Sequence, residues 1–333
     1  MTSRKGTACI SIPRCVCWSG KMNREFDLIC VGMALVDSII KGFDPKPVSA
    51  SGYRAASGSL NVGGEAVNEA MAGVKLGLRT AILCGLGEDG AGDMVADALR
   101  RCGVDTSLIV RSADHPTPVT TMFVRDDGSR QSITNASHTY NFHPERYRGC
   151  FGKARALILG SLFRAPFDDV DVIRAVLTSA KEQGLAVIAD TKLPNFRFLG
   201  LEDLRDLLPL IDYITPNEDE ARYYSGRETP EEMARVFLDC GVKNVIVKLG
   251  AKGCYYRGTE GSISLPPCEI HAVDATGAGD NFVAGFACEL LRGCGVEDAL
   301  RFANACGAIC TTAVGAATAL KSREQVLDFL AGK

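Results

Sequence analysis

Short apolar runs alternate with amphipathic stretches along most of the chain. Residues 26–32 are typical of a buried first strand, and later apolar, partly β-branched runs predict further strands. These later runs are residues 80–84, 156–159, 185–189, 213–215 and 244–249. Apolar residues recur with helical spacing in residues 65–76, 92–102, 169–183 and 230–240. The alternation predicts an α/β fold with a mostly parallel central sheet that helices cover on both faces.

Two stretches interrupt this rhythm, residues 42–60 and 118–135. In the second, residues 120–124 and 130–134 flank a turn of two aspartates and a glycine, which predicts a β-hairpin. Strands inserted into a parallel core suggest a small β lid over an active site. We therefore expect one domain over residues 22–333, with lid segments at about 42–60 and 116–136.

Residues 1–21 differ from the rest of the chain. They are basic, carry cysteines, and have too short and too polar an apolar stretch for a signal peptide. Met22 comes directly before the first predicted strand. We interpret residues 1–21 as an unstructured leader or as a mis-assigned start.

Charge and composition exclude several classes of partner. The 37 basic and 40 acidic residues give a net charge of −3, so no field favours nucleic acid or anionic lipid. No apolar run approaches the roughly 18 residues of a membrane helix. The 14 cysteines lie scattered in apolar stretches without a C-x-x-C pair, which indicates buried thiols in a reducing cytoplasm.

The sharpest local signal is D-A-T-G-A-G-D at residues 274–280, directly before an apolar helix face. Glycines at the mouth of a helix let backbone amides approach an anion, and the helix dipole favours phosphate oxygens. Asp280 would then lie beside a transferred phosphoryl group, where it would orient and deprotonate an attacking hydroxyl. The alternative is an ordinary glycine turn with an aspartate at a helix cap.

This segment, with N-F-V-A-G-F at residues 281–286, closely resembles the C-terminal signature of the ribokinase (PfkB) carbohydrate kinases. Only Ala275 departs from the usual threonine. The N-terminal signature is similar too, as G-G-E-A-V-N-E-A at residues 63–70. The resemblance implies a ribokinase-like three-layer α/β/α sandwich and ATP-dependent phosphorylation of an alcohol. Asp280 would be the catalytic base, with Gly277, Ala278 and Gly279 as an anion hole.

The resemblance also implies residues that contact the acceptor. Asp37 matches a position whose carboxylate binds sugar hydroxyls, and Gly63, Gly64 and Asn68 match the neighbouring signature. Ser161 follows a predicted strand and adds a hydroxyl to that side. The alternatives are a loop carboxylate for Asp37 and a solvent-side polar residue for Asn68.

The resemblance and the positions of the predicted strand ends indicate candidate residues for nucleotide and metal binding. T-P-N-E-D-E at residues 215–220 resembles an N-x-x-E element, which assigns Glu220 to indirect Mg²⁺ binding; the same spacing is also a capping box. Asp274 matches a position that helps bind a monovalent cation in potassium-dependent relatives. The candidate nucleotide contacts are Lys192, Asn217, Lys248, Gly250, Gly253, Thr276, Gly277, Gly279 and Asn304.

Gly85-x-Gly87-x-x-Gly90 also fits a dinucleotide fingerprint. However, Asp105 precedes the next predicted strand, residues 107–110, instead of following it, and the chain lacks a Walker A loop. An NAD(P)-dependent oxidoreductase and a catalytically silent sensor remain rival interpretations.

Charge at the matched sugar positions indicates the class of substrate. The matched sugar positions contain no basic residue, so we expect a neutral free sugar, ribose- or fructose-like, instead of a sugar phosphate. A nucleoside would need an aromatic shelf such as Tyr53 or Phe163, and Arg164 would suit an acidic keto-sugar such as 2-keto-3-deoxygluconate. A homodimer that forms through the lid is a further possibility.

Overall fold

The computed structural model describes residues 24–42, 55–125, 129–135, 142–195, 197–259 and 261–332. The predicted leader, Tyr53 and most of residues 42–60 lie outside these ranges. The strands are β1 Leu28–Val31, β2 Leu35–Lys41, β3 Ser57–Gly63, β4 Thr80–Leu83, β5 Gly85–Gly87, β6 Val110–Ser112, β7 Val119–Val124, β8 Arg130–Thr134, β9 Ala156–Leu162, β10 Ala186–Thr191, β11 Tyr213–Ile214, β12 Asn244–Lys248, β13 Cys254–Gly258 and β14 Gly261–Leu265. The α-helices are α1 Glu65–Lys75, α2 Gly90–Cys102, α3 Val170–Glu182, α4 Glu218–Ser225, α5 Pro230–Asp239, α6 Ala278–Leu291, α7 Val296–Cys310 and α8 Arg323–Leu330.

The central sheet has eight strands in the order β14-β13-β12-β11-β10-β9-β1-β4. The strands from β12 to β4 are parallel, and β13 pairs antiparallel with both of its neighbours. Strands β1, β4, β9 and β10 are buried along their whole length because helices cover both faces of the sheet.

Two hydrophobic layers flank this sheet, and β1 contributes to both in alternation. Leu28 and Cys30 pack in the layer that contains α1, α2, α6, α7 and α8, whereas Ile29 and Val31 pack in the layer with α3, α4 and α5. The predicted three-layer α/β/α sandwich with a mostly parallel central sheet is confirmed.

A second sheet has four strands in the order β3-β2-β7-β8. Strand β2 pairs antiparallel with β3 and parallel with β7, and β7 and β8 form the predicted hairpin. Strand β2 was not predicted, because its alternation Leu35–Lys41 merges with the apolar run of β1. This omission matters, since Asp37 lies on β2 and not in a loop.

The predicted strand at residues 107–110 is wrong: β6 is Val110–Ser112. Asp105 accepts hydrogen bonds from the amide and hydroxyl of Ser107, and the Ile109 amide donates to the Thr106 carbonyl. This turn delays the strand until Val110. The hairpin β13–β14 was also missed.

Among the described residues, no helix has the length and apolarity needed to cross a membrane.

Candidate active site

Polar side chains collect where several parallel strands of the central sheet end. Ser161 lies near the end of β9, Asp190 and Lys192 at the end of β10, and Lys248 at the end of β12. The N-termini of α1 and α6 point to the same region, because Asn68 of α1 and Asp280 of α6 share a hydrogen bond. The carboxyl edge of an open α/β sheet is where such folds bind ligands.

Gly277 caps the N-terminus of α6 in a left-handed conformation, with φ of 76°. A side chain there would lie 2.2 Å from Cβ of Ala316, so the close approach of these segments requires glycine. Asn281, one turn into the helix, donates to the carbonyls of Gly277 and Ala316 and fixes this contact. The predicted glycine mouth of a helix is therefore present.

The three predicted anion-hole residues are not equivalent. The Ala278 amide donates to the Ala275 carbonyl at 3.2 Å, so it takes part in the turn. A Cβ at Gly279 would lie 3.2 Å from Nζ of Lys248, which brings a cation against the first turn of the helix. Helix N-terminal amides and an ammonium group both attract anions.

Asp280 is buried in this first turn, and its Oδ2 accepts a hydrogen bond of 2.7 Å from Nδ2 of Asn68. Burial raises the pKa of Asp280 to about 6. Lys192 and the amide of Asn68 oppose the rise, and nearby carboxylates favour it. A carboxylate with such a pKa is still ionised at neutral pH and accepts a proton more readily than an exposed aspartate.

Two ion pairs cross the site. Nζ of Lys248 lies 2.6 Å from Oδ1 of Asp190, and Nζ of Lys192 lies 3.1 Å from Oε1 of Glu65. Burial would lower the pKa of Lys192, but the charges of Glu65 and other carboxylates hold it above its ordinary value. Burial would likewise raise the pKa of Glu65, yet it stays below its ordinary value because of Lys192.

Two further carboxyl groups are fully or almost fully buried. Glu69 has both carboxyl oxygens without a hydrogen-bond partner among the described residues. Burial, reinforced by Asp190 and Asp280, raises its pKa well above the ordinary value. Burial also raises the pKa of Glu220. Charge is thus balanced by two ion pairs and by carboxyl groups that hold protons more tightly.

The predicted acceptor residues lie on the α1 side of the site. Asp37 is partly buried on β2, and burial, together with repulsion from Glu65, raises its pKa to about 6. A Cβ at Gly63 would lie 2.4 Å from Oδ2 of Asp37, and one at Gly64 would lie 2.3 Å from the Met33 carbonyl. These glycines let the two segments approach one another.

The remaining acceptor candidates are Asn68 and Ser161. While Nδ2 of Asn68 binds Asp280, its Oδ1 is buried without a partner among the described residues. Ser161 is fully buried in a left-handed conformation, with φ of 72°, and its hydroxyl has no hydrogen-bond partner among the described residues. A hydroxyl donor would satisfy the orphan amide oxygen.

The N-x-x-E element forms the predicted capping box at the start of α4. Oδ1 of Asn217 accepts from the Glu220 amide, and Oε2 of Glu220 accepts from the Asn217 amide, each at 2.9 Å. The same Glu220 oxygen accepts from the Thr191 hydroxyl at 2.8 Å. Glu220 therefore belongs to a capping box and also lies at the edge of the sheet where ligands bind. Oδ1 of Asn217 is used by the cap.

The segment around Asp274 is held by its carboxylate. Oδ1 of Asp274 accepts from the amide and hydroxyl of Thr276, and Oδ2 accepts from the Gly315 amide at 3.0 Å. Asn304 of α7 donates to the Pro266 carbonyl at 3.3 Å. These contacts join residues 274–276 to the loop at Gly315, and α7 to the loop at Pro266.

Gly253 is better explained by packing than by a ligand. It adopts φ of 93°, and a Cβ there would lie 2.0 Å from the Leu265 carbonyl. Gly250 also has a positive φ, of 57°, but open space surrounds it. Of these two glycines, only Gly250 has room for a ligand beside its backbone.

Protein atoms occupy space beside the glycines that fit the dinucleotide fingerprint. Asp89 caps α2 by accepting from the Gly92 amide, and its other oxygen accepts from the Thr117 amide. A Cβ at Gly87 would lie 2.6 Å from that same amide nitrogen. Close packing accounts for Gly87, and for Gly85 against Phe142, whereas a Cβ at Gly90 would meet no atom within 4 Å.

Phe163 and Arg164, the aromatic and basic candidates near the acceptor side, both contact other protein groups. Phe163 is fully buried and stacks on Tyr224 with ring centroids 4.1 Å apart, so it offers no open shelf. Arg164 donates from Nε and Nη2 to the Leu193 carbonyl, at 3.1 and 2.8 Å.

The sequence reasoning missed Asp190, Glu69 and Asn281. Asp190 lies two residues before Lys192, so the rule that selected the lysine at a strand end would have found it. Asn281 was part of the recognised signature, but its two carbonyl partners are remote in sequence. Glu69 was part of the recognised N-terminal signature, but its burial could not be predicted, because a glutamate in a helix is normally on the solvent side.

The chain is similar to known proteins over most of its length. The pfkB family carbohydrate kinase profile matches residues 26–323. A ribokinase of Arabidopsis thaliana is 31% identical over 323 residues, which cover 91% of this chain and 80% of the relative. A 2-dehydro-3-deoxygluconokinase of Bacillus subtilis is 27% identical over 290 residues, with 83% and 88% covered.

Solved structures agree with this match. Arabidopsis thaliana ribokinase complexed with ribose and ATP aligns with a TM-score of 0.81 at 28% identity, over 92% of this chain and 98% of that one. A putative ribokinase II from E. coli in complex with ATP and Mg²⁺ aligns with a TM-score of 0.75 at 26% identity, over 92% and 99%. Fold, signatures and relatives agree: the chain belongs to the pfkB family of carbohydrate kinases.

Proposed function

We propose that this kinase transfers the γ-phosphoryl group of ATP to a hydroxyl of a neutral free sugar, ribose- or fructose-like, with Asp280 as the base. The observation that carries the proposal is the pair of Asp280 and Asn68. Asp280 is buried at a helix N-terminus, and its partner Asn68 keeps an unsatisfied amide oxygen. The pair offers a proton acceptor and a hydroxyl acceptor side by side.

In the reaction, the sugar hydroxyl loses its proton to the Asp280 carboxylate as its oxygen bonds to the transferred phosphorus. The bond between that phosphorus and the bridging oxygen of ADP breaks, and ADP leaves. Lys248 and the α6 amides at Gly277 and Gly279 would receive the negative charge of the phosphoryl oxygens. Burial of Asp280 keeps water from competing for the phosphoryl group.

The protein's donors fit Mg²⁺ that is held mainly through phosphate and water. Among the described residues, no three His, Cys, Asp or Glu side chains are grouped to coordinate a metal directly. Glu220, with one oxygen engaged by Thr191 and Asn217, would act on the metal through water. Mg²⁺ supplies charge neutralisation on the phosphate oxygens when it is bound.

A neutral sugar is favoured by the charges around the acceptor. Asp37, Glu65 and Asp280 face this side, and Lys192 is already paired with Glu65. A phosphate on the substrate would meet net negative charge, whereas sugar hydroxyls would donate to these carboxylates and to Asn68. Phe163 is buried against Tyr224, and Arg164 is bound to the Leu193 carbonyl. Neither residue therefore supports a nucleoside or an acidic keto-sugar as the substrate.

The substrate class is tested by an ADP-release assay under saturating Mg·ATP. We expect kcat/KM for ribose or fructose to exceed that for fructose 6-phosphate, 2-keto-3-deoxygluconate and adenosine. If either anionic substrate is at least tenfold better than both free sugars, the charge argument is wrong, and Arg164→Ala should remove that preference. Nucleotide binding without ADP release on any acceptor would favour the silent sensor.

We further propose that the four-stranded sheet is a lid and forms a homodimer contact. Leu60 and Ile133 are 61% and 65% exposed. The register places them in one row across β3, β2, β7 and β8, one residue out of phase with Asp37. Since side chains alternate along strands, Leu60 and Ile133 face away from the site. Leu60→Asp with Ile133→Asp should give a monomer in sedimentation analysis.

Potassium activation and a cytoplasmic location complete the proposal. Asp274 binds Thr276 and Gly315 beside the N-terminus of α6, which suits a monovalent cation site. Replacing K⁺ with Na⁺ should then lower kcat.

Burial raises the pKa of thiols such as Cys84 and Cys254 to about 12, which suits cysteines kept reduced in the cytoplasm.

A further inference from the structure

The ion pair between Lys192 and Glu65 joins the two halves of the site. Lys192 follows β10 on the phosphate side, whereas Glu65 begins α1 on the acceptor side. Nζ and Oε1 are 3.1 Å apart, and the two side chains are 30% and 18% exposed. The pair is thus partly accessible and lies between the places proposed for the two substrates.

Hydrogen bonds hold the backbone at Lys192, whereas its ammonium group is held by the ion pair with Glu65. The Lys192 amide donates to the Leu162 carbonyl at 2.9 Å, and the Tyr224 hydroxyl donates to the Lys192 carbonyl at 2.6 Å. Arg164 holds the next carbonyl, that of Leu193. A lysine on such an anchored segment changes partner by rotation of its flexible four-carbon stem alone.

The other lysine of the site is differently placed. Lys248 is 12% exposed, and it is bound at 2.6 Å to Asp190, which also accepts from Thr215. Lys192, by contrast, faces Asp280, Asp190 and Glu220 in addition to Glu65. An arriving triphosphate therefore competes with Glu65 for Lys192 more readily than with Asp190 for Lys248.

Loss of Lys192 would leave Glu65 beside Asp37, and the two carboxyl groups already repel each other. A sugar bound there would relieve this repulsion by donating hydroxyl hydrogen bonds to Glu65. Each substrate would then make the binding of the other more favourable, because one takes the lysine and the other satisfies the carboxylate that the lysine leaves.

We propose that Lys192 is exchanged between Glu65 and the phosphoryl group of ATP, so that this exchange couples nucleotide binding to sugar binding. The inference rests on the proposed sugar kinase function. It assigns Glu65 a role in sugar binding that requires nucleotide, and it gives Glu65 an inhibitory role toward nucleotide when sugar is absent.

The test measures the Kd of Mg·AMP-PNP by calorimetry, with and without ribose or fructose, whichever gives the higher kcat/KM. Without sugar, Glu65→Gln should bind the analogue about 3- to 10-fold more tightly than wild type, since Lys192 is released in advance. In this variant, sugar should no longer improve nucleotide binding. Lys192→Met should weaken the analogue and also abolish the coupling.

Glu202→Gln is the matched control, because it removes one carboxylate from an exposed ion pair with Arg205; its Kd and coupling should equal those of wild type. The inference is overturned if Glu65→Gln leaves the nucleotide Kd unchanged or weakens it, or if sugar still improves binding as in wild type. A purely structural pair would give that result with a lower Tm. Failure of wild type to bind AMP-PNP would overturn the kinase proposal itself, and the inference with it.

Discussion

Replacing Asp280 with asparagine tests both the chemistry and the electrostatics of the site. The amide keeps the size of the side chain, and its oxygen can still accept the hydrogen bond from Asn68. It cannot accept the proton of the sugar hydroxyl. We expect kcat to fall at least about 10²-fold while the Kd for Mg·AMP-PNP stays near wild type.

The same substitution should stabilise the protein at neutral pH. Asp280 has a pKa of about 6 in the folded protein against an ordinary value of 3.8. The folded state therefore binds this proton more tightly, and the stability that the proton contributes is complete below pH 3.8 and is lost as pH rises to about 6. The shift corresponds to about 3 kcal/mol at pH 8 and about half of that at pH 5.

Asparagine carries no such penalty, so the variant should melt on the order of 5 °C higher than wild type at pH 8, with a smaller gain at pH 5. Thermal melts at the two pH values and an ADP-release assay check both parts. Near wild-type kcat would refute Asp280 as the base. An equal change in Tm at pH 5 and pH 8 would show that the pKa of Asp280 is not raised in the folded protein.

Two further substitutions probe the neighbouring elements. Glu220→Gln should raise the Mg²⁺ concentration needed for half-maximal rate, since the metal loses a charged outer partner while the amide oxygen keeps the cap; an unchanged Mg²⁺ curve with a lower Tm would leave Glu220 as a cap only. Gly277→Ala should lower Tm more than Gly293→Ala, because both glycines have positive φ but only Gly277 faces Ala316. Equal losses of Tm would show that backbone strain, and not the clash, is the cause.

Local patterns were sufficient for the parallel core. The helix over residues 230–240 and the strand over residues 156–159 were predicted within a few residues, because burial on one or both faces leaves a direct record in the spacing of apolar residues. Strand β2 and the turn before β6 were not predicted correctly. A strand in a small, half-covered sheet has a weak pattern, and turn hydrogen bonds such as those of Asp105 override strand propensity.

Residues adjacent in the chain were enough to predict the family, the helix mouth at Gly277 and Asp280 as the candidate base. Which charged groups lie close together depends on the tertiary structure. Asn68 and Asp280 are 212 residues apart, and Lys192 and Glu65 come from different elements. Ion pairing, burial and raised pKa values depend on distances in space, which strand order and helix packing set and which sequence spacing does not encode.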